Sequence, residues 1–180
     1  MRIISGFLKG QRFDLPNPNW KTRPTTDQAK ESLFNILFNK IDLEGIEVLD
    51  LFSGTGNLAY EFASRGAKKV VCVEKFNPCT NYIRQNAKKF NIENILSVHK
   101  QDVFKFLRFH HDQYNIIFAD PPYDSQKIQL ISELVFNKNL LKTNGLLIIE
   151  HDSRQNFANH PNFIDLRQYG QSCFSFIEQQ

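Results

Sequence analysis

The segment from Val48 to Ala59 constrains the fold of this chain more than any other stretch. A short, mostly apolar run leads into Ser-Gly-Thr-Gly and then into a helical pattern, which predicts a strand, a tight turn and a helix. Gly54, Gly56 and Ala59 match the G-x-G-x-x-A fingerprint, in which glycine lets the backbone approach a ligand closely. The fingerprint is shared with dehydrogenases and also arises by chance, so it predicts the fold better than the ligand.

From residue 46 onward, short apolar runs alternate with longer amphipathic ones, which predicts a parallel α/β sheet covered by helices on both faces. The predicted strands are 47–52, 69–74, 95–99, 114–119 and 145–150, the predicted helices are 57–65, 78–91, 102–108 and 126–136, and a closing hairpin spans 163–168 and 173–178. Before residue 46 we predict a hairpin (2–8 and 11–15) and a helix (26–41) capped by Thr25. We therefore expect a basic extension, residues 1–45, in front of a core, residues 46–180.

The composition is that of a globular protein. At 180 residues, 41% of them hydrophobic, the chain is long enough to bury a proper core. No apolar run approaches the length of a membrane-spanning helix, and the first ten residues lack the apolar region of a signal peptide. Cys72, Cys79 and Cys173 show no CxxC spacing, so we interpret them as small buried side chains in a reducing cytoplasm.

The positive charge of the chain is concentrated near its amino terminus. The net charge is +3, from 22 basic and 19 acidic residues. Residues 1–31 hold six basic and three acidic side chains, which leaves sixteen of each in the remainder. The six basic residues are Arg2, Lys9, Arg12, Lys21, Arg23 and Lys30. Such an arm predicts a polyanionic partner, contacted by Arg2, Lys9 and Arg12, although a plain solvated segment explains the charge equally well.

Four acidic residues end or follow the predicted parallel strands. Asp50 and Glu74 lie at the ends of the first two strands, while Asp102 and Asp120 follow the third and fourth. Because the carboxyl ends of parallel strands meet at one edge of a sheet, these side chains should surround one crevice. Four carboxylates repel a pyrophosphate but attract a ligand with a sulfonium and an ammonium group, which favours S-adenosylmethionine over NAD.

Simpler roles remain open for Asp50 and Asp102, whereas the spacing of Glu74 favours a ligand contact. Glu74 stands 20 residues after Gly54, the spacing of an acid that accepts ribose hydroxyls. Asp50, in contrast, could cap the start of the helix after the turn. Asp102 fits the N-cap of helix 102–108 as well as it fits a ligand contact.

Asp120-Pro121-Pro122-Tyr123 is the most informative stretch for the chemistry. Residues before proline avoid helical angles, and neither proline carries an N–H group, so the stretch is extended and rich in acceptors. Acceptors complement the two N–H bonds of an exocyclic amino group on a nucleobase, and Tyr123 adds a ring on which a base can stack. These four residues are the predicted catalytic group, which would aim the amino lone pair at a methyl carbon. The alternative is a Pro-Pro turn with an incidental aromatic.

These motifs resemble those of a known family. Asp50 to Gly56 resembles motif I of class I methyltransferases, and Asp120 to Tyr123 resembles the [D/N]-P-P-[F/Y/W] motif of amino-methyltransferases acting on adenine, guanine or glutamine. The opening, Arg23-Pro24-Thr25-Thr26-Asp27 followed by Glu31-Ser32-Leu33-Phe34-Asn35, is similar to that of the bacterial 16S rRNA guanine-N2 methyltransferase family of the RsmD type. The closing Tyr169-Gly170-Gln171-Ser172 fits the same family, so the resemblance spans nearly the whole chain.

The resemblance implies a Rossmann-like, seven-stranded, mostly parallel sheet with an antiparallel last strand, and methylation of one guanine N2 in the 16S rRNA of the small ribosomal subunit. It implies an S-adenosylmethionine site formed by Asp50, Ser53, Gly54, Gly56, Glu74, Asp102 and Val103, with Arg23 and Thr25 closing the pocket. Asp120 to Tyr123 would hold the guanine. We expect a cytoplasmic monomer that acts on the assembled or assembling subunit and contacts no membrane.

Some residues and rival functions need separate mention. His110-His111-Asp112 lies in a polar loop, so we predict a solvated loop and no metal, and His151 is interpreted as structural. A DNA adenine-N6 methyltransferase is compatible with the Asp-Pro-Pro-Tyr motif, but the chain lacks room for a separate target-recognition domain. A non-catalytic RNA-binding or assembly factor would need neither the four acids nor that motif.

Overall fold

The computed structural model describes residues 1–14, 27–122 and 127–180. In chain order the elements are α1 (Asp27–Phe38), β1 (Glu47–Leu51), α2 (Asn57–Ser64), β2 (Lys69–Glu74), α3 (Asn77–Lys89), β3 (Leu96–Lys100), α4 (Val103–Phe109), β4 (Tyr114–Ala119), α5 (Ile128–Asn137), β5 (Leu141–His151), β6 (Phe163–Tyr169) and β7 (Ser172–Glu178). Within these described ranges, none of the helices has the length and apolar character needed to span a membrane.

The strands of the described residues form one seven-stranded sheet in the order β3-β2-β1-β4-β5-β7-β6. Strands β1 to β5 pair in parallel, whereas β7 runs antiparallel to both β5 and β6. This arrangement confirms the predicted class I methyltransferase topology. Because β2 lies on one side of β1 and β4 lies on the other, the connections diverge between β1 and β4, which is where open α/β sheets bind their ligands.

Hydrophobic side chains pack on both faces of the sheet, because alternate strand residues point to opposite faces. Val48, Ile116 and Ile148 belong to the face covered by α1, α2 and α3. Their neighbours, represented by Leu49 and Ile117, belong to the face covered by α4 and α5. Burial on both faces explains why the central strands are continuous apolar runs in the sequence.

The amino-terminal segment is less regular than predicted. The expected hairpin reduces to a single antiparallel bridge between Arg2 and Arg12. The turn between them is held against the end of α2 instead: the amide of Phe7 donates to the carbonyl of Ser64 at 2.9 Å. A Cβ on Gly6 would lie 1.7 Å from that carbonyl oxygen. This contact with α2 uses backbone groups that a longer hairpin would need for cross-strand pairing.

The amino-terminal segment shares its core with the sheet. Ile3, Phe13 and Leu33 are buried in the same hydrophobic cluster as Val48 and Phe62. The ring of Phe13 also meets the ring of Tyr60 edge to face, with 5.0 Å between centroids. Packing is therefore continuous across residue 45, where the sequence pattern places the boundary between the extension and the core.

The predicted elements from α1 to β7 end within three residues of the observed ones, except at the start of β5. That strand begins at Leu141 rather than 145, because Leu141 pairs with Tyr114 ahead of a shift in register. A Cβ on Gly145 would lie 2.8 Å from the carbonyl oxygen of Lys142, so glycine permits this irregular backbone.

Cys72, Cys79 and Cys173 are buried free thiols, as predicted.

Candidate cofactor and substrate site

The glycine turn lies at the carboxyl end of β1. Phe52, Gly54 and Gly56 all have positive φ, at 61°, 51° and 80° respectively. The amide of Gly56 donates to the carbonyl of Ser53 at 2.8 Å, and the amide of Ser53 donates to the carbonyl of Val73 at 3.2 Å. The turn is thus tied to β2. A non-glycine residue with positive φ is uncommon, and Phe52 adopts this strained conformation at the start of the glycine turn.

The two glycines of the turn are required for different reasons. Among the described residues, the nearest heavy atom to a Cβ on Gly54 would be the carbonyl oxygen of Phe52 at 3.9 Å, so no described atom fills the space beside it. A Cβ on Gly56 would lie 2.8 Å from the ring of Tyr60. The sequence pattern gives one reason for both glycines, whereas in the structure Gly54 borders open space among the described residues and Gly56 packs against Tyr60 of α2.

Glu74 fixes the turn from the neighbouring strand. Its Oε2 accepts a hydrogen bond from the amide of Gly54 at 3.0 Å, and its Oε1 accepts one from the amide of Phe76 at 2.7 Å. Each oxygen of a carboxylate can accept a second hydrogen bond. Glu74 can therefore hold the turn and still accept donors from a ligand.

Asp50 lies beneath the turn and is only 2% exposed. Its Oδ2 has no hydrogen-bond partner within residues 1–14, 27–122 and 127–180. Burial raises the pKa of Asp50 to about 7; the charge of Glu74 adds to this rise, and a hydrogen bond with Ser53 opposes it. A buried acceptor without a partner is costly, so this oxygen is suited to a donor or cation supplied by a ligand.

Asp102 and Val103 begin helix α4. The Oδ1 of Asp102 accepts a hydrogen bond from the amide of Lys105 at 3.0 Å, so this exposed side chain caps the helix. The cap leaves its second oxygen available to a ligand. The side chain of Val103 is 3% exposed and packs in the core, so only its backbone can reach a cofactor.

The sheet order places the four acids side by side. Strands β3, β2, β1 and β4 are neighbours in the sheet: Asp102 follows β3, Glu74 ends β2, Asp50 is the penultimate residue of β1 and Asp120 follows β4. The sequence predicted this row from the geometry of parallel strands. The charge of Glu74 contributes to the raised pKa of Asp50.

The Asp-Pro-Pro segment begins directly after β4, next to the turn. The amide of Asp120 donates to the carbonyl of Leu51 at 3.4 Å, which joins the segment to the end of β1. Asp120 is half-buried, Pro121 is buried and Pro122 is exposed. The remaining predicted site residues, Tyr123, Arg23 and Thr25, lie outside the described residues, as does the capping role predicted for Thr25.

Glu150 is a carboxyl group at this edge that the sequence pattern did not single out. Ala119 of β4 pairs with Ile149 of β5, so the next residues in register are Asp120 and Glu150. Glu150 is 4% exposed. Its one sequence signal is a charge at the end of the apolar run from Leu146 to Ile149.

The predicted RNA-binding residues, Arg2, Lys9 and Arg12, all belong to the amino-terminal segment. Arg2 and Arg12 pair across the bridge, and both are exposed. Arg2 pairs with Asp27 at 3.1 Å. Lys9 is exposed at the far end, in the turn packed on α2. Lys30, counted among the basic residues of the arm, is fully buried, so the sequence was wrong to place its charge on the surface.

The rings of His110 and His151 both contact aromatic and polar groups. The ring of His110 stacks between Phe106 and Tyr114, and its Nε2 lies 2.7 Å from the hydroxyl of Tyr114. His151 is 1% exposed: its Nδ1 lies 2.7 Å from the carbonyl of Asp152 and its Nε2 lies 2.7 Å from the hydroxyl of Ser175. Since a carbonyl only accepts, Nδ1 carries the proton and Ser175 donates to Nε2. Burial lowers the pKa of His151, in keeping with a neutral structural role.

Comparison with known proteins gives the same family as the motifs. Residues 1–178 match the model of the family described as conserved hypothetical protein 95. Ribosomal RNA small subunit methyltransferase D of Buchnera aphidicola subsp. Acyrthosiphon pisum is 34% identical over 162 residues, which are 89% of this chain and 83% of the relative.

Solved structures share the fold over most of the chain. The Escherichia coli protein yhhF superposes with a TM-score of 0.88 at 24% identity, covering 100% of this chain and 98% of that one. RsmC of T. thermophilus, a 16S rRNA N2 methyltransferase in complex with AdoMet and guanosine, has a TM-score of 0.70 at 19% identity, covering 89% of this chain and 45% of that one. With the family match over 178 residues and the 34% identical relative, the chain belongs to the conserved hypothetical protein 95 family of RsmD-type methyltransferases.

Proposed function

We propose that this protein transfers the methyl group of S-adenosylmethionine to the exocyclic N2 amino group of a guanine in the 16S rRNA of the small ribosomal subunit. One observation carries the proposal: an acceptor-rich Asp120-Pro121-Pro122 segment begins at the strand end beside the glycine turn. The amide of Asp120 is already bonded to Leu51, and the prolines have no N–H group. The segment therefore presents a carboxylate and carbonyls to a group that brings only donors.

The residues of the turn fit the proposed cofactor. The unpartnered Oδ2 of Asp50 and the remaining acceptor capacity of Glu74 and Asp102 match a cationic ligand with donor hydroxyl groups. The open space beside Gly54 admits a ligand against the backbone. S-adenosylmethionine supplies an electrophilic methyl carbon on a sulfonium. Arg23, Thr25, Ser53, Gly56 and Val103 complete the proposed cofactor site.

The proposed catalytic contribution of the chain is orientation. The lone pair of an aromatic amino nitrogen is delocalised into the ring, which makes it a poor nucleophile. If Asp120 and a proline carbonyl accept hydrogen bonds from its two N–H groups, they favour a pyramidal nitrogen whose lone pair points away from them. The methylated nitrogen can release its extra proton to solvent after the transfer, so no general base with a shifted pKa is required. Tyr123 is proposed to stack on the base, which must leave its own helix to reach the site.

The choice of guanine and of ribosomal RNA rests on the relatives. A relative named ribosomal RNA small subunit methyltransferase D covers most of the chain, and RsmC, with the same fold, is a 16S rRNA N2 methyltransferase. We propose that residues 1–45 form an extension on the core of residues 46–180, and that its first fourteen residues are an RNA-binding arm in which Arg2, Lys9 and Arg12 contact RNA phosphates. A monomer acting in the cytoplasm, where ribosomal subunits are assembled, completes the proposal.

The experiment is methyl transfer from labelled S-adenosylmethionine to three separate substrates: small subunits from a methylation-deficient strain, naked rRNA and DNA. Mass spectrometry then identifies the modified nucleoside. We expect N2-methylguanosine in the small-subunit rRNA. N6-methyladenosine as the sole product would overturn the proposal in favour of the DNA adenine enzyme, and no transfer to any substrate would favour the assembly factor.

Asp120→Ala tests the division of labour within the site. We expect it to abolish transfer while the dissociation constant for S-adenosylmethionine stays within about threefold of wild type, since Asp120 is assigned to the base. The matched control is Asp165→Ala, a change in β6 on the far side of the sheet order from β4. Loss of cofactor binding in Asp120→Ala would show that this carboxylate belongs to the cofactor site.

A further inference from the structure

Lys30 of helix α1 is a fully buried lysine with a complete set of partners. Its side chain is 0% exposed. The Nζ donates to the carbonyl of Arg2 at 2.6 Å and to Oδ1 of Asn57 at 2.9 Å, and it lies 3.3 Å from Oε2 of Glu61. A lysine ammonium has three donors. Three oxygen acceptors around it therefore satisfy it in its charged form.

Glu61 of α2 completes this buried cluster and is also 0% exposed. Its Oε2 accepts the amide of Ile4 at 2.9 Å, and its Oε1 accepts the amide of Ser5 at 3.0 Å and the Nε of Arg65 at 2.9 Å. Both charges are thus fully hydrogen-bonded. The partners come from three separate parts of the chain: the amino-terminal segment, α1 and α2.

Stability alone does not account for this cluster. Removing two charges from water is expensive, and well-packed apolar residues of similar volume are often as stable as a buried ion pair or more stable. Burial lowers the pKa of Lys30, and the charge of Glu61 opposes that shift. A charged cluster held at this cost is better explained by the fixed directions of its hydrogen bonds, which apolar contacts cannot supply.

The ammonium joins two elements that the proposed reaction must align. Asn57 immediately follows Gly56 and begins α2, so a hydrogen bond to its side chain helps to fix the glycine turn. Arg2, whose carbonyl accepts the second bond, is bridged to Arg12 in the proposed RNA-binding arm. One atom, Lys30 Nζ, thus contacts both the residue after the cofactor turn and the backbone of the arm.

We propose that Lys30 is a positioning residue that holds the glycine turn, through Asn57, and the RNA-binding arm, through the Arg2 carbonyl, in one fixed arrangement. The inference rests on the proposed function, because it assigns cofactor to the turn and RNA to the arm. Lys30 touches neither ligand. Its loss displaces the turn and the arm relative to each other while both remain folded.

The first test compares Lys30→Met with Leu37→Ala. Methionine keeps the length of the side chain without its donors. Leu37 lies seven residues further along the same helix and is 0% exposed. Its side chain has no polar atom and forms no hydrogen bond, so Leu37→Ala is a control for destabilisation alone. The measurements are the Tm, the dissociation constant of S-adenosylmethionine by equilibrium dialysis well below the Tm, and the KM for small subunits. Lys30→Met should raise both constants on the order of tenfold, and Leu37→Ala should raise neither more than about twofold despite an equal or larger loss of Tm.

The second test uses Asn57→Ala and the double variant, and it stands even if Lys30→Met does not fold. If Lys30 acts through Asn57, Asn57→Ala alone weakens cofactor binding without a matching loss of Tm. If Lys30→Met and Asn57→Ala both fold, the variant that carries both changes should bind the cofactor as tightly as the single variant with the lower affinity. Additive effects, or wild-type cofactor binding in Lys30→Met or Asn57→Ala, would overturn the inference. Failure of the wild-type protein to bind S-adenosylmethionine would instead overturn the proposed function.

Discussion

The backbone amide of Gly54 donates a hydrogen bond to Oε2 of Glu74 at 3.0 Å, so the acid that ends β2 holds the turn that ends β1. The same carboxylate accepts the amide of Phe76 through Oε1. A residue assigned from its spacing to a ribose therefore also organises the backbone around the proposed cofactor. Its replacement should affect ligand contact and turn geometry together.

Glu74→Ala should weaken S-adenosylmethionine binding by about 10- to 100-fold, because hydrogen bonds to a charged group are worth about 1.5–3 kcal/mol. Isothermal titration calorimetry checks this value. Glu93→Ala, a change at an exposed glutamate in the loop before β3, is the control and should bind as wild type. Equal affinities for the two variants would remove Glu74 from the cofactor site.

Asp50 should make the stability of the cofactor-free protein depend on pH. Its folded-state pKa is about 7 against 3.8 for an unperturbed aspartate, so between these values the folded chain binds a proton that the unfolded chain has released. The stabilisation that this proton gives the folded state is fully present below about pH 4 and is lost as the pH rises through about 7. The free energy of unfolding should fall by a few kcal/mol over that range. Urea unfolding at pH 5 and pH 8 measures the difference.

Asp50→Asn should remove that component, so the variant should lose less stability than wild type between pH 5 and pH 8. Asp42→Asn, at an exposed position, should keep the wild-type difference. If the slopes of Asp50→Asn and wild type coincide, the carboxyl of Asp50 does not titrate in this range. In the same window, a cationic ligand beside Asp50 should bind more tightly as pH rises, because it favours the ionised form.

Gly54→Ala and Gly56→Ala should fail in different ways. At Gly56 the new Cβ meets the ring of Tyr60 at 2.8 Å with φ at +80°, so we expect a loss of about 1–3 kcal/mol of folding free energy. At Gly54 the space is open, so the Tm should fall little while cofactor binding is strongly weakened. Gly10→Ala, with φ at +85° and open space but far along the arm, controls for backbone strain alone. Identical Tm losses at positions 54 and 56 would contradict this separation.

Neutralising Arg2, Lys9 and Arg12 together should flatten the salt dependence of small-subunit binding. The slope of log K against log salt should become shallower by about 0.7 to 0.9 for every phosphate that the variant no longer neutralises. Filter binding between roughly 50 and 200 mM salt measures this slope. The charge-matched control changes Lys68, Lys69 and Lys138 to Gln, three solvent-accessible lysines at the edge of the sheet opposite the glycine turn. An unchanged slope in the first triple variant would count against the basic arm.

The fold and the row of acids could be predicted because both follow from local pattern. Strands β1 and β4 are mostly apolar runs, and parallel strands bring the residues at their carboxyl ends to one edge of the sheet. This is why Asp50, Glu74, Asp102 and Asp120 were found from sequence alone. The amino-terminal pairing was overestimated because the turn is held by Ser64 of α2, a contact more than fifty residues away.

Lys30 and Glu61 show what the pattern could not reveal. In the sequence each is a charge within a helix, which normally marks a solvated face. Their burial depends on three segments closing over one point, including the backbone amides of Ile4 and Ser5. No periodicity within α1 or α2 contains that information. Glu150 was missed for the same reason, since its burial depends on neighbouring strands.

The antiparallel direction of β7 decides where a fusion or affinity tag should be attached. Glu178 pairs with Leu146, so the carboxyl terminus leaves the sheet at the edge opposite the glycine turn. The side chain of Met1, in contrast, lies 3.9 Å from the hydroxyl of Thr55, within the turn itself. A tag joined after Gln180 projects away from the proposed cofactor and RNA contacts, whereas one joined before Met1 crowds them and would distort the affinities that the variants are meant to compare.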